Sequence, residues 1–193
     1  MPDWLTPDWL THGERLWFAN RATGVVLVGL LTLTTVIGVW STARGGSRAW
    51  PRFATQALHR NISLLTMAML LVHVASAVID EFVDIRWWAG LVPFLGHYDR
   101  LWLGVGTVGA DLLIAVTVSS LLRHRMNHRG WRVLHLSAYA AWAVGVVHGI
   151  GIGTDSATVW GLASSVLSVA VVAAFAGLRV ATLLHERRIE ARL

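Results

Sequence analysis

Five apolar runs, each about as long as a bilayer is thick, constrain this chain more than any other feature of its sequence. A membrane-spanning helix needs about 20 predominantly apolar residues, and the chain is 55% hydrophobic with only 14% charged residues. The sequence therefore predicts an all-α integral membrane protein in which residues 1–193 form one five-helix bundle. The runs cover about residues 22–42, 55–79, 101–122, 131–152 and 158–184.

The first run has the properties of a spanning helix rather than those of a removable signal peptide. It follows the acidic, Trp-bearing segment MPDWLTPDWLTHGERLWFANR instead of a short basic region, and no A-x-A cleavage site comes after it. We expect this run to remain in the mature protein.

The basic residues are distributed unevenly among the connections. The chain has no Lys, and 12 of its 16 Arg lie in the first and third connections, at the starts of the second and fourth runs, or near and beyond the end of the fifth run. By the positive-inside rule, this asymmetry predicts an external N-terminus and a cytoplasmic C-terminus for a multi-pass protein of a bacterial plasma membrane. Membrane orientation explains the clusters better than nucleic-acid binding does, so we expect lipid, and no nucleic acid, as a partner.

The segment GVGTVG at residues 104–109 matches the dinucleotide-binding pattern letter for letter. That pattern requires a preceding strand in a βαβ unit, whereas this copy lies inside an apolar run. We interpret these glycines as small residues that allow close helix packing, and we give Gly145 and Gly149 the same role.

The connection between the second and third runs contains the paired residues Trp87 and Trp88. Paired Trp residues are typical of a segment that lies on the membrane surface. The segment is either an aromatic belt at the lipid headgroups or a lid over a cofactor below it.

Four histidines inside the second and fourth runs have nearly matched spacing. We call the two histidines of one run, with the residues between them, a histidine frame. His59 and His73 are 14 residues apart, and His135 and His148 are 13 residues apart, which separates them by about 21 Å and about 19.5 Å along their helices. Ionisable side chains within a span are costly and indicate a functional site. Because both runs cross the membrane in the same direction, we expect His59 beside His135 near the inner face. We expect His73 beside His148 near the outer face.

Two neutral imidazoles on opposite sides of an iron are the axial pair of a six-coordinate haem. Zinc requires three or four converging ligands, and the histidine frames supply no further carboxylates or thiolates. The chain has no Cys to hold an iron–sulfur cluster or to attach haem covalently. We therefore predict two b-type haems, with a His-lined metal-ion transporter and a cofactor-free anchor subunit as alternatives.

The shorter frame in the fourth run raises a question of geometry. At about 100° per residue, 14 steps bring His73 back to within about 40° of His59, but 13 steps leave His148 about 140° from His135. We expect either a local irregularity in the fourth helix, at Gly145 or Gly149, or haem planes that are rotated differently.

The histidine frames, the segment RATG at residues 21–24 and the segment WRVLH at residues 131–135 resemble the ferric reductase-like transmembrane domain. Ferric reductases, NADPH oxidases and the haem-bearing membrane subunit of bacterial methionine sulfoxide reductase systems share that domain. The resemblance covers about residues 16–188 and implies an oxidoreductase component with two b-type haems that passes electrons across the membrane. It implies His59 and His135 as the inner ligands, and His73 and His148 as the outer ones.

The sequence also departs from that family. The oxidases have six spans followed by a cytoplasmic flavin and nicotinamide domain, whereas five spans are predicted here and the sequence stops at Leu193. We therefore expect a cytoplasmic flavin reductase or quinol as the electron donor and an extracytoplasmic acceptor, either ferric iron or a partner protein. Oxygen-reducing members carry a further His one turn after the outer ligand of the first frame, where this sequence has Ala77. A superoxide-producing oxidase subunit stays an alternative.

Four further residues are candidates for contact with the haems. Haem propionates are anionic, so Arg21 near the outer site and Arg60 or Arg132 near the inner site are candidate partners. Each of these Arg residues is also compatible with a helix end oriented by lipid phosphate. Trp142 lies seven residues after His135, between the two depths, either as an electronic bridge or as a packing residue.

Overall fold

The structure is a computed structural model that describes residues 13–42, 51–80, 83 and 85–191. Five of its helices are long and apolar enough to cross a membrane, so the chain is an all-helical, multi-pass membrane protein, as predicted. Arg44 and Arg48, which contribute to the predicted orientation, lie outside the described residues. The helices are α1 Gly13–Thr42, α2 Arg52–Ile79, α3 Arg100–Leu121, α4 His128–Ile152 and α5 Val159–Glu190.

Side-chain caps begin the last two helices. Asn127 accepts a hydrogen bond from the backbone N–H of Gly130 at 2.7 Å, and Thr158 accepts one from Gly161 at 3.2 Å. These caps satisfy backbone donors that have no partner within the first turn of a helix. They fix where α4 and α5 begin, within three residues of the predicted starts.

The first four helices form two antiparallel hairpins. α1 packs along α2, and α3 packs along α4, while α1 also contacts α4 and α5. α2 and α3 approach each other only sparsely. The two helices that carry the histidine frames, α2 and α4, therefore belong to different hairpins and meet across the interior of the bundle.

The packed core of the bundle is thin. Its buried residues are Leu27, Leu31, Leu70 and Ala110, with Trp142 packed against them. Among the described residues, no large side chain is fully buried. Many large apolar side chains are exposed on the helices, as expected where lipid rather than water surrounds them.

The connection between α2 and α3 covers one end of the bundle. A 3₁₀ turn spans Trp87–Gly90, and the Thr107 hydroxyl on α3 donates a hydrogen bond to the carbonyl of buried Ala89 at 2.8 Å. The exposed ring of Trp87 faces away from the protein. The segment therefore has an exposed Trp and a buried contact with α3, and the choice between an aromatic belt and a lid over a cofactor stays a prediction.

Candidate functional site

The structure brings the four histidines together in the two predicted pairs. The ring centroids of His59 and His135 are 6.2 Å apart with an interplanar angle of 71°. Those of His73 and His148 are 6.5 Å apart at 86°. We call His59 and His135 the basic-end pair, because they lie toward the end of the bundle that carries Arg123, Arg125, Arg129 and Arg132. We call His73 and His148 the covered-end pair, because they lie toward the end beneath residues 85–99.

Three of the four imidazoles are held in the same way by the neighbouring helix of their hairpin. In each case Nδ1 lies within hydrogen-bond distance of a backbone carbonyl, and the residue four positions after that carbonyl is glycine. We call this arrangement a carbonyl seat. The three seats are His59 on Thr34 with Gly38 at 3.2 Å, His73 on Asn20 with Gly24 at 3.2 Å, and His148 on Trp102 with Gly106 at 2.8 Å.

Glycine at these seats allows the close approach of the rings. A helix carbonyl already accepts the N–H four residues later, so a second donor must reach its other lone pair from the side. A Cβ at Gly24 would lie 3.2 Å from Cε1 of His73, and one at Gly38 would lie 3.3 Å from Cε1 of His59. A Cβ at Gly106 would overlap the ring of His148. The absence of a side chain therefore lets each imidazole reach the carbonyl.

The seats determine which ring nitrogen carries the hydrogen. A carbonyl oxygen can only accept, so we assign the hydrogen to Nδ1, which leaves the Nε2 lone pair available. The Thr23 hydroxyl lies 3.3 Å from Nδ1 of His73, but its hydrogen goes to the Asn20 carbonyl at 2.8 Å, so it can only accept from the ring. Asn20 Nδ2 also lies 3.4 Å from Nδ1 of His73. Its two hydrogens are used, however, because it donates to the His73 carbonyl at 2.7 Å and to Ser76 at 3.1 Å. A histidine that ligates a metal through Nε2 characteristically donates its Nδ1 hydrogen to such a partner.

His135 is the exception. Its Nδ1 lies 3.2 Å from the hydroxyl of Ser120 on α3, and a hydroxyl can either donate or accept. The carbonyl four residues before Ser120 belongs to Val116 and accepts a hydrogen bond from Ser119 at 3.0 Å. The ring of Trp131 is stacked on His135 with a centroid distance of 5.0 Å and an interplanar angle of 23°.

The donor set fits a haem better than it fits a bare metal ion. An iron bound by two opposed Nε2 atoms at about 2 Å each would hold the ring centroids about 6.4 Å apart, close to both separations. Rings in edge-to-face contact occupy the same range, so the separations are compatible with a haem iron without requiring one. Within the described part of the chain, no three or more His, Cys, Asp or Glu residues converge. A haem needs only two protein ligands, because its macrocycle supplies the other four.

A cavity of about 250 Å³ surrounds the covered-end pair, with walls from all five helices. At its edge Arg21 Nε donates to Asp155 Oδ2 at 2.7 Å, and the Arg21 guanidinium lies 4.2 Å from the centroid of the Trp17 ring. Arg21 therefore lies beside the covered-end pair, and its charge is paired with Asp155. The cavity wall includes several glycines, namely Gly24, Gly106, Gly109, Gly145, Gly149 and Gly161.

The other predicted contact residues have different surroundings. Arg60 and Arg132 have exposed side chains toward the basic end. Trp142 packs against the core, and its Nε1 donates to the Thr32 hydroxyl at 3.1 Å. The packing role of Trp142 is confirmed, whereas its electronic role and the propionate contacts of the Arg residues stay predictions.

The expected irregularity of the fourth helix is absent. α4 is helical without interruption from His128 to Ile152. Gly145 and Gly149 lie against Leu31 and Val28 of α1, where a Cβ would come within 3.4 Å and 3.9 Å of them. The two glycines therefore serve helix packing, as predicted. The alternative, differently rotated haem planes, stays a prediction.

Sequence reasoning missed the seats. Thr34, Asn20 and Trp102 act through backbone carbonyls, which leave no trace in side-chain identity. A signal was available in the small residues, because Gly24 and Gly38 are 14 residues apart and so are Gly106 and Ser120. That spacing equals the interval between His59 and His73.

A domain of unknown function, DUF8596, matches residues 15–155. The match covers nearly all of α1, the whole of α2, α3 and α4, and all four paired histidines, and it ends before α5 begins. No curated protein and no solved structure matches the chain.

Proposed function

This chain belongs to the DUF8596 family of domains of unknown function, and we propose that it is a dihaem b-type transmembrane electron-transfer protein. The observation that carries the proposal is the carbonyl seat. Three half-buried imidazoles have Nδ1 within hydrogen-bond distance of a helix carbonyl, which assigns the hydrogen to Nδ1 and leaves the lone pair on Nε2. Each lies opposite a second imidazole at a separation that suits an iron between them.

In this proposal, His59 and His135 hold one haem and His73 and His148 hold the other. When bound, each haem supplies a one-electron iron couple. The chain orients the ligands through the seats, excludes water with the apolar faces of α1 to α5, and keeps Trp142 in the layer between the two pairs. Arg21, Arg60 and Arg132 are the candidate partners for the propionates.

We further propose that the basic end faces the cytoplasm of a bacterial plasma membrane. The arginine asymmetry supports this orientation, and the resemblance to the ferric reductase-like transmembrane domain supports outward electron transfer. A cytoplasmic flavin reductase or quinol is the proposed donor, and ferric iron or a partner protein is the proposed extracytoplasmic acceptor.

The test is a reduced-minus-oxidised absorbance spectrum of the purified chain from haem-replete cells, together with the haem-to-protein ratio. We expect a b-type spectrum and about two haems per chain. His59→Ala and His135→Ala should each remove the same haem, so the double variant should lose no more than either single one. His73→Ala and His148→Ala should behave likewise for the other haem.

The exposed residues His97 and His124 provide matched controls, because each is a histidine outside the two pairs. His97→Ala and His124→Ala should keep both haems. A colourless protein would overturn the proposal, and uptake of a metal ion by vesicles containing that colourless protein would favour the transporter instead. A haem that reacts rapidly with oxygen to give superoxide would favour the oxidase alternative.

A further inference from the structure

The four histidines have equivalent positions opposite them on the neighbouring helices, and Ser120 is the one that is not glycine. Gly24 and Gly38 on α1 oppose His73 and His59, while Gly106 on α3 opposes His148. Ser120 follows Gly106 by 14 residues, the same interval that separates the two α1 glycines. It therefore occupies the fourth seat position, and its hydroxyl lies 3.2 Å from Nδ1 of His135.

At this position the observed partner of Nδ1 is a side-chain hydroxyl, that of Ser120, rather than a backbone carbonyl. The carbonyl of Val116, four residues before Ser120, accepts a hydrogen bond from Ser119 at 3.0 Å. His135 and His148 are 13 residues apart, whereas the seat positions Gly106 and Ser120 opposite them are 14 residues apart. The hydroxyl of Ser120 therefore provides the partner for Nδ1 that the carbonyl provides at the other three seats.

We propose that Ser120 is a positioning residue that sets the reduction potential of the basic-end haem apart from that of the covered-end haem. The inference rests on the proposed haem-binding function. An acceptor on Nδ1–H gives the imidazole imidazolate character, which strengthens its donation to ferric iron and lowers the potential. A hydroxyl is a weaker and more mobile acceptor than a helix carbonyl, so the basic-end pair stabilises ferric iron less through this hydrogen bond.

The ring of His135 has a second support that makes the hydrogen bond testable by itself. Trp131 is stacked on one face of the imidazole and does not depend on Ser120. Removing the hydroxyl should therefore leave the ring in place and change only the partner of Nδ1.

The experiment is a potentiometric titration of the full-length, haem-loaded protein, followed by the haem absorbance and fitted with two components. The component that disappears in His59→Ala identifies the basic-end haem. In Ser120→Ala we expect this component to move to higher potential, with the other component unchanged and the haem-to-protein ratio retained. Ser120→Thr keeps a hydroxyl and should restore the original potential.

A double variant tests the sign of the effect. Ser119→Ala with Ser120→Gly frees the carbonyl of Val116 and removes the Cβ at the seat position, so a full carbonyl seat can form. We expect the basic-end component to move to lower potential, opposite to the shift in Ser120→Ala. General damage to the site would not produce shifts of opposite sign.

Ser137→Ala is the matched control, because Ser137 lies two residues after His135 but donates to its own helix at the carbonyl of Leu134. This variant should leave both components unchanged. The inference is overturned if Ser120→Ala moves neither component, moves both equally, or loses haem while Ser120→Thr loses it too. Absence of haem from the unmodified chain would instead overturn the proposed function, so the two failures are distinguishable.

Discussion

At the covered end, both imidazoles lie on helix carbonyls, and residues of all five helices form the cavity around them. At the basic end, only His59 lies on a carbonyl, while His135 has a hydroxyl on one side and a stacked Trp ring on the other. Each imidazole of the covered-end pair is therefore held by a backbone carbonyl. In the basic-end pair, only one of the two imidazoles is held in this way.

Under the proposed function, the two sites differ in how far the ligating tautomer of each histidine is fixed before haem binds. A carbonyl forces the tautomer that leaves Nε2 free, so both covered-end rings are ready to ligate. The hydroxyl of Ser120 accepts either tautomer of His135, and selecting the ligating one costs free energy on binding. We therefore expect the covered-end site to bind haem more tightly than the basic-end site.

Of the three variants considered, Gly106→Ala should have the largest effect on the difference in haem binding between the two sites. The added Cβ would overlap the His148 ring, so the imidazole would have to leave the Trp102 carbonyl. We expect loss of about one haem per chain, all of it from the covered end, measured by the haem-to-protein ratio and by which titration component disappears. Gly29→Ala is the control, because a Cβ at Gly29 meets nothing within 4 Å. Retention of both haems in Gly106→Ala would show that the seat is not needed.

Gly38→Ala should have an intermediate effect, confined to the basic end. Its Cβ would lie 3.3 Å from Cε1 of His59, so the ring need move only by a few tenths of an ångström. We expect faster transfer of the basic-end haem to an excess of an apo-haem protein, with the covered-end haem unaffected. Equal acceleration for both haems would indicate that the two sites are coupled through α1, and that the comparison between them does not hold.

Trp142→Phe should have the smallest effect, because Trp142 lies between the two pairs. It removes the hydrogen bond from Nε1 to Thr32, which should cost about 0.6–1 kcal/mol of stability. A lower thermal midpoint with both haems retained is the expected result. A change in the rate of electron transfer between the haems, at unchanged haem content, would assign Trp142 the electronic role as well.

The pairing of the histidines could be predicted from the sequence because it depends on helix rise and chain direction. His59 and His135 each lie seven residues after the first residue of their helix, so equal depth followed from counting. The five spans followed from apolar length, although α1 begins before the predicted start at residue 22 and α5 continues past the predicted end at residue 184.

The partners of the paired side chains could not be predicted in the same way. Arg21 and Asp155 are 134 residues apart in the chain, and only the folded bundle brings the α4–α5 connection to α1. The acceptors of the seats are backbone carbonyls, which every residue has. Of the two alternatives predicted for the shorter frame, the local irregularity of α4 is wrong because the helix is continuous, and the differently rotated haem planes stay a prediction.

The 14-residue interval has a consequence for how the length of this chain can vary. Inserting one residue between Gly24 and Gly38 would turn the two glycines apart by a further 100° or so, and one histidine of α2 would lose its carbonyl. The same holds between Gly106 and Ser120. Insertions and deletions should therefore be excluded from the seat intervals of α1 and α3 and accumulate in the connections, where added length costs little. α5, which carries no seat, should tolerate them better than the other four helices.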